Sequence, residues 1–99
     1  MALAFKTSDF KFTNSEGADS LKQTVSFPHH VNQAETAIQS FQFDFVVADR
    51  NIDKVQVSAF KLGTNGNNVD VEVRVNYADR LHDDEYNATV RVLVIADMQ

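Results

Sequence analysis

The sequence predicts an all-β domain, a small antiparallel β-sandwich of about six strands. Three observations predict it. The first is Asn68 to Tyr77, where Val69, Val71, Val73, Val75 and Tyr77 alternate with Asp70, Glu72, Arg74 and Asn76. Successive side chains on a strand point to opposite faces, so this run makes one apolar row and one charged row. On a helix a period of two would smear the apolar groups around the cylinder. The second is the recurrence of turn signals about every ten residues between alternating runs. The third is composition: eight Phe and abundant Val without Trp, with only three Gly and one Pro. β-Branched and aromatic side chains suit a pleated, half-buried surface.

The elements follow in chain order. Phe5 to Thr13 is a weak strand signal, with Phe10 and Phe12 on one face and Asp9 and Lys11 on the other. Asn14 to Ser20 is polar and turn-rich, with Gly17 as its pivot. Leu21 to Phe27 reads as a strand whose row is Leu21, Gln23, Val25 and Phe27, and Pro28 ends it, lacking a ladder donor. His29 to Thr36 spaces Val31, Ala34 and Ala37 in a helix-like way, yet it is short and uncapped, so a loop or one helical turn is expected.

Ala37 to Val47 places Phe41, Phe43 and Phe45 on one strand face. Ala48 to Asp53 is a polar connection. Lys54 to Leu62 puts Val55, Val57 and Ala59 on one row but Phe60 and Leu62 on the other, which predicts a bulge or twist near Ala59. Gly63 to Asn68 carries an Asn-Gly hairpin signal. Ala78 to Glu85 is expected to be an exposed loop. Tyr86 to Ala96 is the last strand, and its Val92–Ala96 end is apolar on both faces. A second sheet or a subunit interface would cover such a strand, and the sequence leaves both open.

The 99 residues make a single domain, 1–99, without repeat or linker. A chain of this size buries roughly 65% of its unfolded surface. Absence of cysteine excludes disulfides and thiolate metal sites. A net charge of -5 without a basic stripe argues against nucleic acid. No apolar run approaches the roughly 18 residues of a membrane span, and no signal peptide is seen, so the expectation is cytoplasmic synthesis, with non-classical release or assembly into a surface structure left open.

Chemistry is sparse. No nucleophile elbow, phosphate loop or His-Glu-x-x-His motif is present, so no cofactor is implied and the chain is not read as an enzyme. His29 and His30 are adjacent, and neighbours on extended backbone point apart, so they read as solvent histidines rather than ligands of one metal. Asp79, Asp83, Asp84 and Glu85 crowd one segment with His82, but without EF-hand spacing they read as a solvated acidic loop. Asn87-Ala-Thr89 matches a glycosylation sequon and is treated as chance.

The order of these features resembles the H-type lectin domain, the small six-stranded sandwich of snail agglutinins and of the C-terminal part of discoidins. The likeness runs from Thr13 to Ala96. Its carriers are Val25-Ser-Phe27 before a proline, the Ile38–Asp44 strand, Lys54-Val-Gln-Val57, the Gly63–Gly66 turn with its following strand, and the closing Val94-Ile-Ala96. The family's closing Trp stands here as Val94. The resemblance implies a homotrimer that binds galactose or N-acetylgalactosamine-type sugars at clefts between subunits. It implies a sugar-binding acid at Glu16 beside Gly17, a basic residue at Lys54, a histidine at His82 and an aromatic at Tyr86, displaced a short step along the chain. Leu81 stands where the family has the stacking Trp. Glu for Asp and Lys for Arg change reach, and the second loses the guanidinium fork. The alternative expectation from another class is a structural or assembly module of a phage tail, injection apparatus or adhesive appendage, using the same sandwich without sugar.

Overall fold

The computed structural model describes residues 2–45, 52–79 and 85–99. It is all-β: β1 (Ala2–Glu16), β2 (Ala18–Ser26), β3 (Val31–Phe45), β4 (Ile52–Asn65), β5 (Asn68–Asp79) and β6 (Glu85–Met98). They form two antiparallel three-stranded sheets, ordered β1-β6-β3 and β2-β5-β4. The long strands draw the sandwich out to 49 × 18 × 18 Å.

The two strands with the strongest alternation are the two central strands. On β5 the row Val69, Val71, Val73, Val75 and Tyr77 is buried, and on β6 the row Tyr86, Ala88, Val90, Val92, Val94, Ala96 and Met98 meets it. A central strand has a partner on each side, so its inner row is shielded by neighbouring side chains as well as by the opposite sheet. Phe10 and Phe12 from β1, and Val25 and Phe27 from β2 and its end, complete the core. Tyr77 and Tyr86 join the sheets edge to face, with ring centroids 5.8 Å apart.

Each open side of the sandwich is closed by a lysine from an inner row. Lys6, paired with Val94, donates to the Ser26 carbonyl and lies 5.5 Å from the Phe27 ring. Lys61, paired with Val71, reaches Glu35 of the other sheet at 3.9 Å. An inward-pointing charge at an edge discourages strand addition there, while its methylene stem covers apolar surface. Gln23, on the inner row of β2, is satisfied by the Asp9 carbonyl and the Ser8 hydroxyl.

Several boundaries differ from the sequence reading. The loop expected over His29 to Thr36 ends at Val31, where β3 begins. Asn32 is an extra residue there, since Val31 pairs with Met98 and Gln33 with Asp97. The bulge moves Val31 and Ala34 to a spacing of three on one buried row, which imitates a helix. The bulge expected near Ala59 lies at Leu62, between the Lys61–Val71 and Gly63–Asp70 pairs. The turn-rich stretch around Gly17 is almost all strand: β1 runs to Glu16 and β2 starts at Ala18. In the β4–β5 hairpin Asn65 pairs with Asn68, so the central residues are Gly66-Asn67, and Gly66 has φ +59°. Glycine at the first central position is the type II′ pattern rather than the type I′ pattern of Asn-Gly.

The two ends of the molecule are unlike. At one, the hairpin tip is locked by Phe27 N–H to the Asn67 carbonyl and Val31 N–H to the Gly66 carbonyl, each 2.9 Å. The other end carries the Gly17 turn, the end of β3, the start of β4, the end of β5 and the start of β6.

Candidate functional site

Of the residues that the resemblance implies, Glu16, Gly17, Tyr86 and the backbone of Lys54 stand at the Gly17 end. Glu16 is the last residue of β1, is exposed, and pairs with Glu85 across the sheet. Gly17 reverses the chain alone, with φ +61°, a backbone conformation that L side chains rarely adopt. Its carbonyl accepts two hydrogen bonds, from Tyr77 N–H at 3.1 Å and from the Tyr86 hydroxyl at 2.7 Å. Lys54 pairs with Ala78, while Ala18 pairs with Asn76 on the far side of β5. Two strand spacings therefore separate β4 from β2 here, roughly 10 Å. His82 lies outside the described residues, as do Asp83 and Asp84 of the acidic loop expected there. The described residues on either side of it, Asp79 and Glu85, both stand at this end.

Tyr86 has a different role from the stacking ring that the resemblance implies. It is 0% exposed, its ring is stacked on Phe43 at 5.4 Å, and its hydroxyl holds the Gly17 carbonyl. Burial, and secondarily the charge of Asp19, push its phenol up to about 12. Its ring offers no open face within the protomer; Tyr86 is the internal post on which the Gly17 turn rests. The turn is braced further by Ser15 Oγ donating to Asp19 Oδ2 at 2.6 Å and Asn14 N–H donating to Asn87 Oδ1 at 2.9 Å.

Beside this turn the outer face of the β2-β5-β4 sheet is hollowed into an open groove of about 510 Å³. Its walls are Ala18, Asp19 and Ser20 from β2, Arg74 and Asn76 from β5, and Gln56, Ser58 and Phe60 from β4. Arg74 Nε donates to Glu72 Oε1 at 2.8 Å, and its guanidinium carbon sits 5.0 Å from the Phe60 ring centroid. Glu72 is 6% exposed although it belongs to the outer row, because Arg74 and Phe60 cover it. The charged row read in Asp70, Glu72, Arg74 and Asn76 is thus partly a built surface. In the sequence Phe60 stands out only by falling on the row opposite Val55, Val57 and Ala59, and its meeting with Arg74 is set by strand pairing. A second hollow of about 300 Å³, with Lys22, Thr24, Leu62 and Asp70 in its wall, continues along the same face.

The groove offers hydroxyl and amide groups, one fixed guanidinium and one half-exposed aromatic ring. Such groups donate and accept hydrogen bonds, and the ring adds one apolar surface among them. Among the described residues no group of three His, Cys, Asp or Glu side chains is placed to hold a metal ion. His29 and His30 are exposed on the short connection between β2 and β3, at the opposite end. No protein-family model, curated protein or solved structure matches the chain.

Proposed function

We propose that this chain is a carbohydrate-binding module, lectin-like in the manner of the H-type domain, taking galactose or N-acetylgalactosamine-type sugars at clefts between subunits of a homotrimer. The observation that carries the reading is the convergence of Glu16, Gly17 and the start of β4 at Lys54 on one end of a six-stranded sandwich, next to a polar groove. Sugar hydroxyls need acceptors and donors held at fixed positions. The exposed Glu16 at the end of β1 carries an acceptor, and the Gly17 turn beside it is held by two hydrogen bonds. Titration calorimetry with the methyl glycosides of both sugars tests this. Glu16→Ala and His82→Ala should each abolish binding while leaving the oligomer intact; unchanged affinity in both variants would remove these residues from any site.

A structural or assembly module is the second reading, and a different surface favours it. On the outer face of the β1-β6-β3 sheet Leu3 and Phe5 are each 62% exposed, next to half-buried Leu93 and Ile95. Asp97 Oδ1, on the same face, is buried without a hydrogen-bond donor among the described residues. Exposed apolar clusters of this kind mark surfaces that other protein covers. Both readings use self-association, so the sugar, rather than the oligomer, separates them.

A further inference from the structure

We infer that the groove on the outer β2-β5-β4 face is an extended subsite for a neutral oligosaccharide chain, with Phe60 as its stacking ring and Arg74 as its hydroxyl fork. The inference rests on the carbohydrate reading and deepens it by naming the size and charge of the ligand.

Length is the first argument. Asn76, level with the Gly17 turn, and Glu72, level with Phe60, are four residues apart on β5, or about 13 Å along the strand. This is longer than one pyranose ring, and the hollow at Leu62 and Lys22 prolongs it. The volume of about 510 Å³ falls within the range of small-ligand sites. The groove begins at Ala18, the residue after the Gly17 turn.

Chemistry is the second. Phe60 is 41% exposed among mostly polar neighbours, and Arg74 lies against it. A pyranose presents an apolar C–H face and a polar rim, and the groove matches these with one ring and with the Gln56, Ser58 and Asn76 side chains. Charge is the third. Glu72 neutralises Arg74 at 2.8 Å, and the whole chain is acidic. Among the described residues around Arg74, a carboxylate or sulfate on the ligand gains no unpaired cation and meets the net negative charge of the chain, so uncharged glycans are favoured there. Among the described residues of the two hollows, Lys22 of the adjoining one is the cation set apart from this pair.

The experiment compares methyl N-acetylgalactosaminide with neutral and sialylated trisaccharides that carry the same terminal sugar, by calorimetry and by amide shifts of the ¹⁵N-labelled protein. The neutral trisaccharide should bind about tenfold tighter than the monosaccharide, shift the amides of Ser58, Phe60 and Arg74, and outcompete the sialylated one. Phe60→Ser and the groove-filling Ser20→Tyr should bring the trisaccharide-to-monosaccharide affinity ratio toward one. Both positions are surface-exposed, and the dispersion of the same spectra verifies folding. A ratio near one in the unmutated protein, a ratio kept in both variants, or preference for the sialylated chain overturns the groove inference while leaving the terminal-sugar site standing. Absence of binding to any of the three by folded protein overturns both.

Discussion

Replacing Tyr86 by Phe isolates the hydroxyl that supports the Gly17 turn. The ring, with its stacking on Phe43 and its edge contact to Tyr77, is retained; only the 2.7 Å bond to the Gly17 carbonyl is lost. That carbonyl keeps its bond from Tyr77 N–H, so no acceptor is orphaned, and the cost near neutrality is about 1 kcal/mol. The same hydroxyl makes stability depend on pH. Its folded pKa is raised to about 12, chiefly by burial, against 10 for the unfolded chain. The resulting stabilisation is complete below pH 10 and is lost as pH climbs through the folded value, because unfolding then releases a proton. At pH 11 the loss amounts to about 1.4 kcal/mol, one pKa unit's worth. Phenylalanine has no such loss, and any contribution from Tyr77 is common to both proteins. Urea unfolding at pH 8 and pH 11 should therefore show the wild type ahead by about 1 kcal/mol at the lower pH and level with Tyr86→Phe at the higher one. A stability gap that stays constant between the two pH values would refute the burial of a protonated phenol; no gap at pH 8 would refute the hydrogen bond.

Three further outcomes follow from the same packing. Val73→Ala empties two methyl groups from a fully buried central position and should cost about 2 kcal/mol in urea unfolding; a cost below half of that would mean that the two sheets close over the cavity. Gly17→Ala meets no atom within 4 Å, yet φ of +61° should cost it about 1–2 kcal/mol, and an Ala variant as stable as wild type would contradict the left-handed turn. Phe5→Glu charges the apolar outer face of the β1-β6-β3 sheet. On the proposed self-association through this face, sedimentation should show the wild type as an oligomer and Phe5→Glu as a protomer with circular dichroism unchanged, whereas equal masses for both proteins would contradict it.

The central strands were legible in the sequence because their alternation is uninterrupted. Val69 to Tyr77 and the row from Tyr86 to Ala96 each lie between two partners, and nothing breaks their period. The edge strands were harder. In β3 the extra residue Asn32, and the shift between Ile38 and Ser40, change the spacing of the inner row from two to three. Val31 and Ala34 consequently resembled a helix turn, and in β4 the same effect at Leu62 displaced the expected bulge. Polar residues on edge strands blurred the rest: Lys6 and Gln23 stand on inner rows, where alternation leads one to expect apolar side chains. The position of Glu16 and Gly17 at one end was legible from the turn signal. The groove was not, because Ser20, Ser58, Phe60 and Arg74 are far apart in the chain and become neighbours only through strand pairing. Tyr86 shows the converse limit: its residue type suits a sugar platform, and only its place on the inner row reveals that it is core.

The measurement that bears most directly on the carbohydrate reading is a glycan array with purified, folded protein, including galactose and N-acetylgalactosamine termini on short neutral chains. The account predicts selective binding that free N-acetylgalactosamine competes away and that Glu16→Ala abolishes. Silence across the array from a folded, oligomeric sample would contradict it and leave the sandwich as an assembly module.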